Sequence, residues 1–155
     1  MAIEIERKFL VSGDAWRAVA GEGRRILQGY LSLPDGPTVR VRVYGEHAYL
    51  TIKGASDGIS RAEFEYPIPV ADAVTMLEGL AVSPLIDKVR YRVPCGGHVW
   101  DLVVFAGENA GLVLAEVELG RVDEPFVRPD WAGTEVSDDA RYYNANLARH
   151  PVARW

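Results

Sequence analysis

Polar and apolar residues alternate with a period of two from the start of the chain. In Glu4-Ile5-Glu6-Arg7-Lys8-Phe9-Leu10, the charged Glu4, Glu6 and Lys8 fall at i, i+2 and i+4, with Ile5 and Phe9 between them. Such positions share one face of a β-strand, so two acids and a lysine point one way and the apolar pair the other. The alternation returns in Arg40-Val41-Arg42, Glu63-Phe64-Glu65, Lys88-Val89-Arg90 and Glu116-Val117-Glu118, each a like-signed pair around an apolar residue. One such stretch is an ordinary half-buried strand with its polar face in water. Recurrence changes that reading, because like charges repel and solvated strand faces usually mix signs. Strands of one sign each point to a polar cavity.

The pattern predicts eight strands, at residues 4–10, 25–33, 39–44, 48–53, 61–68, 87–93, 98–105 and 112–119. Pro34-Asp35-Gly36-Pro37, Gly45-Glu46 and Pro94-Cys95-Gly96-Gly97 separate them with turn chemistry. The period changes at 70–80, where Val70, Val74 and Leu77 fall at helical spacing. A short helical segment is expected near 14–20, capped by Ser12 or Asp14, and a C-terminal helix over 137–147 with Ser137 as N-cap. Past Gly120 the chain reads as loop until that helix. A sheet with one charged face can hide it by closing on itself. The fold expected is therefore α+β: a closed eight-stranded antiparallel β-barrel, a tunnel with charges inside, with flanking helices and a C-terminal helix.

Composition adds limits. A chain of 155 residues, 48% hydrophobic and 25% charged, suits one domain over 1–155 with a sizeable core. A net charge of −5 argues against nucleic-acid partners, which require surplus cations. A local basic site in an acidic protein instead suits a small anion. Cys95 is the one cysteine, so no intrachain disulfide forms and a reducing compartment fits. With no signal-like start and no long apolar run, the expectation is a soluble, cytoplasmic protein without a membrane partner.

The two signs of charge suit two kinds of ligand. Glu4, Glu6, Glu63, Glu65, Asp101, Glu116 and Glu118 offer hard oxygen donors of the kind Mg²⁺ or Mn²⁺ takes. Lys8, Arg40, Arg42, Lys53, Arg61, Lys88 and Arg90 suit several phosphates in a row, with arginine gripping bidentately.

These residues, in this order, resemble the triphosphate tunnel metalloenzymes, or CYTH domain family, over nearly the whole chain. Glu4-Ile5-Glu6-Arg7-Lys8 stands for the family's N-terminal ExExK signature, and Asp101 in Trp100-Asp101-Leu102 for its acid on the penultimate strand. The resemblance implies a tunnel binding a triphosphate-containing small molecule with one or two divalent ions, Mg²⁺ or Mn²⁺. Gln28-Gly29-Tyr30-Leu31, Ser60-Arg61-x-Glu63 and Glu135-Val136-Ser137-x-Asp139-x-Arg141-Tyr142 look most like the short bacterial inorganic triphosphatases, which hydrolyse tripolyphosphate. Class IV adenylate cyclases and thiamine triphosphatases share the fold, and a non-catalytic polyphosphate-binding module is a third class. Under the resemblance, Glu4, Glu6, Glu116 and Glu118 would ligate the activating ion. Glu63, Glu65 and Asp101 would serve a second ion or orient its water. The basic set would hold the phosphates, and Lys88 or Lys53 would donate a proton to the leaving group. The expected catalytic set is Lys88, Lys53 and Glu63.

Other residues read as structural. Arg7, Arg92, Glu46 and Asp87 lie off the pattern as exposed charges, and His47, His98 and His150 lack ligand spacing. Tyr30 is expected to pack near the tunnel mouth, Trp16, Trp100, Trp131 and Trp155 in the core or against helices, and Arg61 at a strand mouth. The C-terminal helix either covers the barrel or closes over substrate. Apolar outer strand faces exceed what three helices cover, which leaves room for a homodimer.

Overall fold

The computed structural model describes residues 2–155. Strands β1 (Ile3–Val11), β2 (Arg24–Tyr30), β3 (Thr38–Tyr44), β4 (His47–Lys53), β5 (Ser60–Ile68), β6 (Ile86–Cys95), β7 (His98–Phe105) and β8 (Val113–Glu118) pair antiparallel in the order β5-β4-β3-β2-β6-β7-β8-β1. A short ladder between β1 and β5, Ile3↔Ala62 to Ile5↔Ser60, closes the ring. The closed eight-stranded antiparallel barrel expected from the alternation is thus present. Closure leaves each strand one inner and one outer face, which is what a period of two requires.

A ninth strand, β9 (Ala132–Glu135), lies along the second edge of β1 where the sequence reads as loop. Its four residues, Ala-Gly-Thr-Glu, show little alternation; the pairing is dictated by the open edge of β1 beyond Ile5. The Lys8 N–H donates to the Ser137 hydroxyl, and the Lys8 carbonyl accepts from the Val136 N–H, so that edge's backbone groups are satisfied.

Two stretches of the outer face have their own cover. Helix α1 (Val70–Gly79) packs Ala73 and Leu77 on Val41 and Ala48. Gly29 sits beneath it: a Cβ there would come within 2.7 Å of Leu85 Cδ2 and 2.9 Å of Leu77 Cδ2, so any side chain would push the helix away. The outer residues of β1, β7 and β8, including Phe9, Leu102, Ala115 and Val117, are covered by Trp16 and by Trp131 and Phe126 of the long loop. Trp100 stacks edge-on with Trp131 at 5.4 Å. Phe64 and Tyr66 on the outer face of β5 stay exposed. Among the described residues no helix is long and apolar enough to cross a membrane.

The C-terminal helix differs from expectation. Residues 137–147 do not form one helix; a 3-10 turn (Ala140–Tyr142) is followed by α2 (Asn144–Arg149), with Tyr143 extended between them (φ −71°, ψ 133°). Ser137 caps neither, because its hydroxyl is committed to Lys8 N–H and to Glu135. Asp139 caps the turn instead, accepting from the Arg141 N–H. The 14–20 segment is likewise one 3-10 turn (Ala15–Ala18) without a side-chain cap, neither from Ser12 nor from Asp14. Leu147 and Ala148 of α2 join Val103, Phe105 and Leu114, which share the inner faces of β7 and β8 with Asp101 and Glu116. One end of the tunnel is therefore filled by apolar contacts beneath α2, and the charged section lies above them.

Candidate active site

The inner residues surround a cavity of about 460 Å³, and every acid and base singled out in the sequence lines it: Glu4, Glu6, Lys8, Arg40, Arg42, Lys53, Arg61, Glu63, Glu65, Lys88, Arg90, Asp101, Glu116 and Glu118. The strand registers set their neighbours. Glu6 lies opposite Glu118 and Lys8 opposite Glu116 on the β1–β8 ladder, and Asp101 lies opposite Glu116 on the next. Acids thus gather where β1, β7 and β8 meet, and bases line β3 and β6.

Opposite charges are partly paired across the space. Lys53 Nζ donates to Glu4 Oε1 at 2.9 Å and approaches Glu63 Oε2 at 3.3 Å, and Arg61 Nε reaches Glu4 at 3.4 Å. Arg61, the second residue of β5 and so near a strand end as expected, thereby has an ionic partner on the cavity wall. Arg40 Nη2 donates to Thr51 Oγ1 (3.1 Å) and meets Glu65 (3.4 Å). Lys88 Nζ donates to Asn144 Oδ1 of α2 at 2.8 Å, and Lys8 Nζ donates to the Tyr142 carbonyl at 3.2 Å. Lys88 is almost wholly buried, at 2% exposure. Among the described residues the buried Nε atoms of Arg40 and Arg90 have no hydrogen-bond acceptor, Asp101 Oδ1 lying 3.9 Å from the Nε of Arg90. Buried N–H donors left open are costly, and an anion in the cavity would satisfy them.

Burial and like charges shift the titration of this set. Burial, with Arg42 next, pushes the Lys88 amine well below its usual range, and burial with Arg40 lowers Lys53. Arg42, buried beside Arg40 and Arg90, is pulled down to about 9. Glu4 falls to about 2, because Lys53 and Arg61 outweigh the opposing effect of burial. Glu6 goes the other way, pushed up to about 8 by burial and by the Glu116 and Glu4 carboxylates. Burial also raises Asp101, Glu63 and Glu118.

Among the described residues no three acid, histidine or cysteine side chains are drawn together closely enough to hold a metal as they stand. The reason is local: Glu4 leans to Lys53 and Arg61, and Glu116 to Lys8 (3.8 Å). The donor chemistry nonetheless fits an oxygen-preferring divalent ion. Among the described residues Glu6 forms no ion pair, and burial with the Glu116 and Glu4 carboxylates outweighs Lys8 and Lys53 around it, a local excess of negative charge that such an ion would relieve.

Two charges set aside as exposed are not idle. Arg92 continues the period of Lys88 and Arg90, lines the cavity mouth and donates to Asp101 Oδ1 at 3.0 Å; carrying the alternation two residues further would have found it. Arg7 points outward but is part-buried, bonded through Nε to Glu135 at 2.9 Å. Glu46 is exposed, and Asp87 pairs on the outer surface with Arg25. Of the histidines, His98 holds the loop acid Glu124. Tyr30 is buried and lines the cavity, and Trp155 sits edge-on against Tyr142. Thr51, Asn144 and Arg149 also contribute to the site, though as uncharged or distant residues they carried no pattern in the sequence; Gln28, quoted above only as part of a motif, does so through Arg42.

Comparison with known proteins gives concordant results. A CYTH domain family model matches residues 2–148. An inorganic triphosphatase of Acetivibrio thermocellus is 48% identical over 151 residues, 97% of this chain and 96% of its own length. One of Nitrosomonas europaea is 38% identical over 150 residues, 94% and 96% of the two lengths. The crystal structure of an inorganic triphosphatase superposes with a TM-score of 0.67 at 36% identity, over 96% of this chain and 95% of the other. A putative adenylate cyclase from Bacillus halodurans superposes at 0.62 but with 15% identity, over 79% and 84%, a likeness of fold alone.

Proposed function

Because this chain belongs to the CYTH domain family, we propose that it is a phosphoanhydride hydrolase that splits inorganic tripolyphosphate into pyrophosphate and phosphate inside the charged tunnel. The observation that carries this reading is the pair of buried Nε–H donors of Arg40 and Arg90, without a hydrogen-bond acceptor among the described residues, beside buried Arg42 and Lys88 and facing a carboxylate wall. A polyanion satisfies the first group and a divalent cation the second. The triphosphatase relatives, each matched over nearly its full length, support the same substrate.

Triphosphatases of this family depend on a metal ion in general; we assign Mg²⁺, replaceable by Mn²⁺, as one or two ions. Glu4, Glu6, Glu116 and Glu118 would hold the activating ion, with Glu63, Glu65 and Asp101 available to a second. Bound there, an ion would polarise the phosphates and neutralise charge on the leaving group. The protein's own work is positioning and charge stabilisation, the main terms in phosphoryl transfer. Lys8, Arg40, Arg42, Lys53, Arg61, Lys88 and Arg90 grip the non-bridging oxygens. Water adds to a terminal phosphorus, the bridging P–O bond breaks and pyrophosphate departs. Lys88 is the better placed of the two lysines to protonate it: Nζ has one acceptor, Asn144, whereas Lys53 is spent on Glu4 and Glu63. Glu63, its carboxyl raised by burial, is the acceptor available to orient the attacking water.

Phosphate release from tripolyphosphate, ATP, thiamine triphosphate and pyrophosphate, with and without Mg²⁺ or Mn²⁺, tests the reading. Tripolyphosphate should be cleaved fastest, and only with metal. Faster turnover of ATP, or cyclic AMP formed from it, would overturn the assignment in favour of a nucleotide enzyme on the same fold.

A further inference from the structure

Gln28 is fully buried on the inner face of β2, between two groups of unequal chemistry. Its Oε1 accepts from Arg42 Nε at 2.9 Å, and its Nε2 donates to the Tyr30 hydroxyl at 2.9 Å. Which end of the amide faces which partner follows from Arg42, because a guanidinium carries donors and no acceptor. The amide oxygen must face it, so the NH₂ must face Tyr30. The Tyr30 oxygen then accepts, and its hydrogen has to be donated elsewhere. Among the described residues none accepts it, while the ring lines the cavity.

We infer that Gln28 is a positioning residue: through Arg42 on one side and Tyr30 on the other, it holds the Tyr30 hydroxyl as a donor to the phosphate chain. This rests on reading the cavity as a tripolyphosphate site. It also accounts for an amide rather than a carboxylate at a buried position beside Arg42. Glutamate would pair with Arg42 more strongly, but it accepts from both sides. The tyrosine hydrogen would turn to it and away from the cavity.

Gln28→Glu, Tyr30→Phe and the double variant form the test, with tripolyphosphate affinity measured by calorimetry on the metal-free protein and turnover beside it. Tyr30→Phe should weaken tripolyphosphate binding about tenfold, the value of one hydrogen bond to a charged acceptor. Gln28→Glu should weaken it more, since it adds a negative charge as well. The distinguishing result is the coupling: in the Gln28→Glu background, Tyr30→Phe should have no further effect, because the hydrogen has already been withdrawn. A merely structural Gln28 predicts additive losses, and additivity with wild-type hydrolysis intact overturns the assignment to Gln28 alone. A wild-type protein that neither binds nor cleaves tripolyphosphate overturns the reading of the site itself. Gln28→Met, with melting temperatures for all variants, separates misfolding from lost orientation. It should weaken binding while the protein still melts cooperatively, and unchanged binding in a folded Gln28→Met would also sink the inference.

Discussion

Glu6 makes the metal-free protein less stable than it could be. Its carboxyl is raised from 4.5 to about 8 by burial and by Glu116 and Glu4. Between those pH values the unfolded chain has released a proton that the folded state still holds, so stability falls as pH rises and the full penalty is present above 8. At pH 7 the loss is about 1.36 × 2.5, or roughly 3 kcal/mol. Gln is a neutral isostere that never needs to ionise. Glu6→Gln should therefore melt higher than wild type in EDTA at pH 7, by roughly 5–10 °C for a chain of this size. At pH 5 the gap should shrink below about 1 kcal/mol. Saturating Mg²⁺ should close it, since a bound cation stabilises the wild-type carboxylate and not the amide, while the variant loses turnover. Thermal unfolding at two pH values, with and without Mg²⁺, reads all of this. Equal or lower melting of Glu6→Gln at pH 7 in EDTA, or a gap that does not depend on pH, would refute the reasoning.

Lys88→Met should cut tripolyphosphate turnover by roughly 10²-fold or more while leaving the protein folded, measured as single-turnover phosphate release and melting temperature. Leu147→Ala removes a fully buried side chain beneath α2 and should cost about 2–5 kcal/mol in denaturant unfolding. Glu135 is held below its usual range by its bond to Arg7, so the pair's stabilisation is present at neutral pH and lost as pH falls through the folded value. Both side chains are about a third exposed, so Glu135→Gln should cost no more than about 1 kcal/mol at pH 7 and nothing near pH 3, checked by urea unfolding at both. EDTA should abolish hydrolysis and added Mg²⁺ restore it, as followed by phosphate release.

Much of the wall was legible before folding. Side-chain direction in a strand depends on local geometry alone, so alternation in Glu4-Ile5-Glu6-Arg7-Lys8 and Lys88-Val89-Arg90 assigns the inner residues without knowledge of their partners. Arg92 was open to the same argument. β9 was not, because its four residues pair only where β1 offers an edge, and Ser137 meets Lys8 across 129 positions of sequence. Nor could the sequence give Lys88 its contact with Asn144, 56 residues away, or Gln28 its place between Arg42 and Tyr30. The chain alone determined which charges face inward and what ligands they suit. Only the closed barrel decided which carboxylates are paired, which cations are buried and which donors are left open, since burial and ion pairing depend on distances set by tertiary contacts.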